Sequence, residues 1–240
     1  MRLHFRLRWI PLIVTLVVAG LGIALGNWQT RRAEEKIAIA EAINSRSQLD
    51  PLPVRALPDN AIPEEFRPVT VNGSFVREWP VYLDNRPLNG KAGFYLLMPL
   101  RVTGSDRVVL VLRGWFPRDP QDRQRLPSIP VPQDEINITG RVRTSVGKLM
   151  QLGETPTLTP GAIVQNVGIE ALTTASKLPL QNFIIEQTND LGDGLVRHWP
   201  APSAGVDTHR AYAFQWYALS AAAFLFFIVT GFRRASKPNA

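Results

Sequence analysis

Two long uncharged runs, one near each end, set the terms on which the rest of this chain folds. Trp9 to Thr30 carries no charge and is apolar through Leu25, and Ala211 to Phe232 is a second uncharged run. A helix needs roughly 20 mostly apolar residues to cross the hydrocarbon core of a bilayer. Arg2, Arg6 and Arg8 precede the first run; Arg233, Arg234 and Lys237 follow the second. Positive charge beside a span stays in the cytoplasm. The expected layout is cytoplasmic tails at 1–8 and 233–240, transmembrane helices at 9–30 and 211–232, and a domain of residues 31–210 on the far side. A basic start, an apolar run and Ala24-Leu25-Gly26 also fit a cleavable signal peptide. The run is longer than an h-region of about 7–15 residues, and Gly22 and Gly26 stand at a spacing that suits close helix packing. An uncleaved span is therefore expected. Ala218 and Ala222 offer a small-residue stripe on the second helix to meet those glycines.

The net charge of +7 suggests a nucleic-acid partner, but its distribution argues against one. Six of the 27 Lys/Arg lie in the tails, leaving 21 against 20 acids between them. The excess is an orientation signal, and no nucleic-acid role is expected. The absence of cysteine excludes disulfides, thiolate metal sites, Cys nucleophiles and covalent c-type haem attachment. With only His4, His198 and His209, a three-histidine metal site is not expected.

Between the spans, the pattern predicts a continuing helix at 31–49, ended by Asp50-Pro51, then a Pro-rich connector at 50–66. A β-rich core follows at 67–187 and a linker at 188–210. Strand signals run over 67–75, 81–84, 93–102, 107–115, 135–143 and 182–187, with a short helix at 169–176. Thr103 to Asp106 reads as a hairpin turn, and 118–134, holding four prolines, as a long exposed loop. The fold class is a two-helix transmembrane hairpin plus a β-rich α+β extracytoplasmic domain built on an antiparallel sheet or partly open barrel.

Candidate chemistry concentrates at the outer ends of the spans. His209, Tyr212, Ala213 and Trp216 share a helical face, and Trp28, Gln29, Arg31, Arg32 and Arg210 lie at the same boundary. One reading is an interfacial belt of Trp and Tyr with arginine anchors. The other is a site for a large, flat, amphipathic ligand, with His209 on a haem iron, aromatic faces on the macrocycle and arginines on its carboxylates. Gln29 and Gln215 call for partners within the apolar runs, and Gln215 to Gln29 or to His209 is the expected pairing. In the domain, Arg113, Gly114, Trp115 and Pro117 close the strongest strand. Their glycine suggests a tight bend, and packing or a partner surface is the expected role. Asp84 to Pro87, followed by Gly90 and Gly93, reads as a solvated turn with a weak anion-binding alternative. No GxSxG is present, and Ser203, Asp207 and His209 are too close in sequence to be taken for a triad. No enzyme is expected.

Taken in order, these motifs resemble the surfeit-locus family of cytochrome c oxidase biogenesis proteins. The resemblance runs from Leu25-Gly26-Asn27-Trp28-Gln29-Thr30-Arg31, through Arg67-Pro68-Val69-Thr70-Val71-Asn72-Gly73-Ser74-Phe75 and Gly93-Phe94-Tyr95, to Leu112-Arg113-Gly114-Trp115-Phe116-Pro117. It closes on His209-Arg210-Ala211-Tyr212-Ala213-Phe214-Gln215-Trp216-Tyr217. It implies an assembly factor that binds haem a through His209 and assists its delivery to the oxidase catalytic subunit. Tyr212, Trp216, Trp28, Gln29, Arg31 and Arg210 would surround the group. The family often has Asn-Asn before that histidine; here Asp207-Thr208 stand there. Implied partners are the catalytic subunit, haem a synthase and membrane lipid, in a bacterial inner membrane with the domain periplasmic. The alternative is a membrane scaffold that recruits oxidase subunits through that domain without binding haem.

Overall fold

Helix-forming apolar residues give way at Arg31 to a mixed but still helical pattern, and one helix follows both. The computed structural model describes residues 3–5, 7–58, 61–122, 124–147, 149, 157–199 and 205–234. Arg2, Arg6, Lys237 and Ser203 lie outside them. Helix α1 runs unbroken over Trp9–Ser47. Pro11 is tolerated because it sits in the first turn, where backbone N–H groups have no intrahelical acceptor.

After α1 come β2 (Leu52–Pro53), a 3-10 turn (Val54–Ala56), β3 (Pro68–Phe75), β4 (Val81–Leu83), β5 (Gly93–Val102) and β6 (Val108–Pro117). They are followed by β7 (Ile136–Arg143), β8 (Ile163–Val164), α2 (Ile169–Ser176), β9 (Leu180–Gln187), α3 (Val206–Gly231) and β10 (Phe232–Arg234), while β1 (Leu3–Phe5) precedes α1. The chain divides into two units: a helical one of Met1–Glu41 with Ala201–Ala240, and a globular one of Ala42–Pro200.

The globular unit is a closed barrel. Its strands follow the order β3-β7-β9-β6-β5, and β5 returns to pair with β3. This corrects the expected antiparallel sheet or partly open barrel in two ways. The ring closes because β5 is long enough to pair with β3 through Leu100–Val102 and with β4 through Tyr95–Leu97. The β6–β9 pair is parallel, because β8 and α2 carry the chain across the outer face before β9 inserts between β6 and β7. The β5–β6 hairpin, closed by Val102 N–H to Arg107 O at 3.0 Å, is the longest antiparallel pair.

Alternation sorts the core into two layers. Val69, Val71, Phe94, Met98, Val111, Ile138 and Phe183 fill the barrel. Leu97, Leu110, Leu112 and Ile184 face outward, where α2 covers them through Leu172. Among its described residues the 118–134 segment has no strand or helix, as expected, but it is not wholly exposed. Leu126, Ile129 and Val131 pack on the barrel core. At the other side of the unit, an ion-pair chain joins distant segments. Arg46, in the last turn of α1, donates to the Glu65 carbonyl; Glu65 takes Arg143 at 2.9 Å, and Arg143 takes Glu186 at 2.8 Å.

The helical unit is an antiparallel pair of α1 and α3. The buried residues of α1 are Thr15, Ala19, Gly22, Gly26, Gln29 and Ala33, alternating steps of four and three. On α3 the less exposed positions are Val206, His209, Ala213, Trp216, Ser220, Ala223 and Phe227, in the same rhythm. A period of 3.5 is the seam of a left-handed helix pair. Antiparallel helices bring the chain's two tails together, and there β1 pairs with β10 as a two-stranded ribbon, Leu3 opposite Arg234.

Candidate functional site

The seam between α1 and α3 brings one imidazole against one amide. α3 starts at Gly205, whose φ of 90° lies in the left-handed region that glycine adopts freely. His209 N–H closes the first turn on the Gly205 carbonyl at 3.1 Å. Asp207 in that turn complements the positive end of the helix dipole. His209 thus occupies a fixed position on the seam, half-buried, and its Nδ1 lies 2.6 Å from Gln29 Oε1. Gln29 is itself buried between Gly26 and Ala33 on the same stripe. With Oε1 accepting, Nδ1 carries the ring proton and Nε2 presents its lone pair.

Small residues make this approach possible. A Cβ on Gly22 would overlap the Ser220 hydroxyl, and one on Gly26 would overlap the Tyr217 ring. Tyr217 donates to Asn27 Oδ1 at 2.8 Å and lies 3.3 Å from Thr30 Oγ1. Ser220 Oγ donates to the carbonyls of Ala19, at 3.2 Å, and Trp216, at 3.0 Å.

Two expectations are corrected here. Gln29 pairs with His209, while Gln215 lies exposed away from the seam. Ala218 and Ala222 are also exposed; Ser220 and Tyr217 meet the glycines instead, because a 3.5-residue seam passes through 213, 216 and 220. Of the expected site residues, His209, Gln29 and Trp216 lie on the seam. Tyr212 and Trp28, each 49% exposed, lie outside it, as do Arg31 and Arg210. Asn27, Thr30 and Ser220 are not among the expected site residues; the alternating three and four spacing marks Ser220, whereas Asn27 and Thr30 fall beside it.

The second motif is a packing device. Leu96 faces Gly114 and Leu97 faces Leu112, so Arg113 is an extra residue, a bulge, in β6. The bulge keeps Arg113 inside and lets Phe116 return to the core, stacked on Phe94 at 5.4 Å. Arg113 donates to Asp193 Oδ2 at 2.8 Å, to the Pro130 carbonyl at 2.9 Å and to Met98 Sδ at 3.3 Å, and lies over the Phe75 ring. Arg197 grips the same carboxylate through both oxygens, at 2.8 and 2.7 Å. Burial pushes the Arg113 pKa down, and Asp193 opposes that shift. Gly114 is required by the close approach of Leu195, whose Cβ would lie 2.7 Å from an added methyl. Trp115 Nε1 donates to the Arg86 carbonyl at 2.6 Å. Pro117 ends the strand with its side chain exposed. The Asp84 to Gly93 turn is solvated at Asn85, Pro87 and Asn89 to Ala92, as expected, but not throughout. Asp84 and Arg86 are buried, and Arg86 donates to the carbonyls of Val146, Gly147 and Gln165. Its two Nη groups hold protein carbonyls, which argues against the anion-binding alternative, while Nε has no hydrogen-bond partner among the described residues.

Fold and seam together define a class: a five-stranded barrel flanked in sequence by two long apolar helices that pair around a single histidine. Both helices are long and apolar enough to cross a membrane. The chain belongs to the SURF1 family, whose sequence model matches residues 16–221. It is similar to Cytochrome oxidase assembly protein SHY1 of Saccharomyces cerevisiae, 29% identical over 115 residues, covering 46% of this chain and 30% of that protein. Human Surfeit locus protein 1 is 27% identical over 155 residues, covering 57% of this chain and 49% of its own length. A SURF1-like protein of Rickettsia bellii is 24% identical over 226 residues, 88% of this chain and 86% of that protein. The chain thus spans less than half of the yeast and human relatives and most of the bacterial one.

Proposed function

We propose that this protein assists the assembly of cytochrome c oxidase by holding haem a through His209, without catalysing a bond-making step. The observation that carries the reading is the Gln29–His209 contact at 2.6 Å. Iron-ligating histidines donate their other ring N–H to an oxygen acceptor, which fixes the tautomer and raises basicity. Gln29 supplies that acceptor, and Nε2 has no hydrogen-bond partner among the described residues. The group fits as far as one axial position. His4 belongs to the ribbon at the opposite end of the helix pair, so it offers no second ligand to this imidazole. When bound, haem a supplies the iron–porphyrin centre that a haem–copper oxidase uses. Trp216, Tyr212 and Trp28 offer aromatic surface around the imidazole, and Arg31 and Arg210 offer guanidinium forks for carboxylates.

The names of the yeast and human relatives, and the family itself, support the oxidase assignment. In this reading the two helices span a bacterial inner membrane with both tails cytoplasmic and the barrel periplasmic. Partners are the oxidase catalytic subunit and haem a synthase. Co-expression with haem a synthesis, purification in detergent and a visible spectrum test the ligand. The wild type should carry haem, and His209→Ala should lose or shift its spectrum. A colourless wild type, or an unchanged mutant spectrum, overturns the ligand and leaves the scaffold reading. Because the chain lacks cysteine, single cysteines placed in the tails and in the barrel report sidedness through labelling of intact cells.

A further inference from the structure

The strand that the Arg113 motif closes leads into a cleft at the margin of the barrel core. Phe116, Pro117, Leu126, Pro127, Ile129 and Leu195 form its apolar surface, and a second hollow of about 470 Å³ adjoins it at Ile129. The larger of the two hollows, about 540 Å³, lies between the end of β6, residues 118–120 and 125–129, and the 193–195 turn. Ile129 separates it from the smaller one. Both walls are held in place. Leu126 and Ile129 pack on the barrel core, and the 193–195 turn is tied by Asp193 to Arg113 and Arg197.

The charges around the larger hollow are unequal in how well they are satisfied. Asp193 is neutralised by two guanidinium groups at 2.8 and 2.7 Å. Asp119 accepts the backbone N–H groups of Gln121 at 2.8 Å and Asp122 at 3.2 Å, which hold its carboxyl below the usual range. The two lining arginines are held loosely. Arg118 meets Asp84 at 3.9 Å and Arg125 meets Asp119 at 3.6 Å, both at the outer limit of an ion pair. Arg125 stands largely in solvent. The Arg125 pair is exposed, and such a pair contributes little and is readily exchanged for a better acceptor; Arg118 faces a buried carboxylate across 3.9 Å and keeps about a third of its side chain in solvent. The cleft therefore offers an apolar floor and two cations with donors to spare, while its acids are already engaged.

We propose that this cleft docks an acidic, apolar peptide segment of a partner protein, with an apolar side chain on Pro117, Leu126 and Ile129 and carboxylates on Arg118 and Arg125. A buried small-molecule site would enclose its polar anchors; here the cations stand at the rim, where a passing chain meets them. Apolar insertion at the centre and complementary charge at the rim is the usual division between affinity and steering.

The test uses the full-length protein in detergent and two fluorescein-labelled probes, Glu-Asp-Leu-Phe-Asp-Glu and Lys-Arg-Leu-Phe-Arg-Lys, read by fluorescence anisotropy. The acidic probe should bind saturably and weaken as salt rises. Arg118→Glu with Arg125→Glu should weaken it by at least about tenfold, since like charges then face each other. Leu126→Ala, which leaves the arginines in place, should weaken it at all salt concentrations. Retention of the wild-type unfolding midpoint in the double arginine variant shows that binding, not folding, was lost. Equal binding of both probes, no saturable binding of either, or indifference to the arginine reversal overturns the proposal.

Discussion

Arg113 Nη2 lies 2.8 Å from Asp193 Oδ2, and the two side chains are 0% and 2% exposed. Their partnership is asymmetric, because Asp193 also holds Arg197. Removing one member of a buried pair costs about 3–5 kcal/mol, chiefly through the charge left behind. Arg113→Met leaves Asp193 still neutralised by Arg197, so its cost should fall at the low end. Asp193→Ala leaves two buried cations facing each other and should cost more. Thermal unfolding followed by tryptophan fluorescence gives the order. An equal or reversed order would mean that Arg197 does not share the carboxylate.

Gln29 should set the proton position on His209 before any haem is present. In the apoprotein, nitrogen-15 NMR of the imidazole should report an Nδ1–H tautomer. Gln29→Leu should shift the population toward Nε2–H, because the acceptor at 2.6 Å is gone. Wild type already in the Nε2–H form would mean that the amide presents its nitrogen instead.

The glycine side of the helix seam predicts a matched rescue. Gly22→Ala places a methyl on the Ser220 hydroxyl and should loosen the pair by about 1–3 kcal/mol, the usual cost of overpacking. Ser220→Ala removes that obstacle, so the double variant should recover most of the loss. The Trp216 carbonyl, 3.0 Å from the added carbon, limits full recovery. Energy transfer between dyes on Leu7→Cys and Phe232→Cys, followed through a denaturing detergent titration, measures it.

Trp115→Phe keeps the ring but removes the N–H that reaches the Arg86 carbonyl at 2.6 Å. Leaving a buried acceptor unpaired costs about 1–3 kcal/mol. Chemical denaturation should show that loss, and if haem is held as proposed its spectrum should not change. A change in haem binding at full stability would move Trp115 from packing to function.

Much of this was legible in the sequence, for physical reasons that also explain what was not. Both long helices follow from uninterrupted apolar composition, and β5 and β6 from two apolar runs around a short polar turn. The strand at 136–143 and the helix at 169–176 carry local signals of the same kind. Ring closure does not, since it depends on β5 meeting β3 and β4 at once. Arg113 looked like a residue at a bend; its partner lies 80 positions away, where no local pattern could link them. Gln29 and His209 were both named, yet the wrong glutamine was offered as a partner. The spacing Gly22, Gly26, Gln29 on α1 and Ala213, Trp216, Ser220 on α3 contains the seam, but only when read as a period of 3.5 rather than as small residues four apart.

The five joints of the barrel are unequal. β5 and β6 share nine residue pairs, β3 and β7 six, and the two joints of β9 four each. The β3–β5 joint has three: Gly73 with Val102, Ser74 with Arg101, and Phe75 with Leu100. A ring opens first at its shortest joint, so amide exchange with solvent should begin there. What opens is a curled sheet with two short bare stretches, at 73–75 and 100–102, beside β2 and β4, and a cell must keep those stretches from meeting another chain.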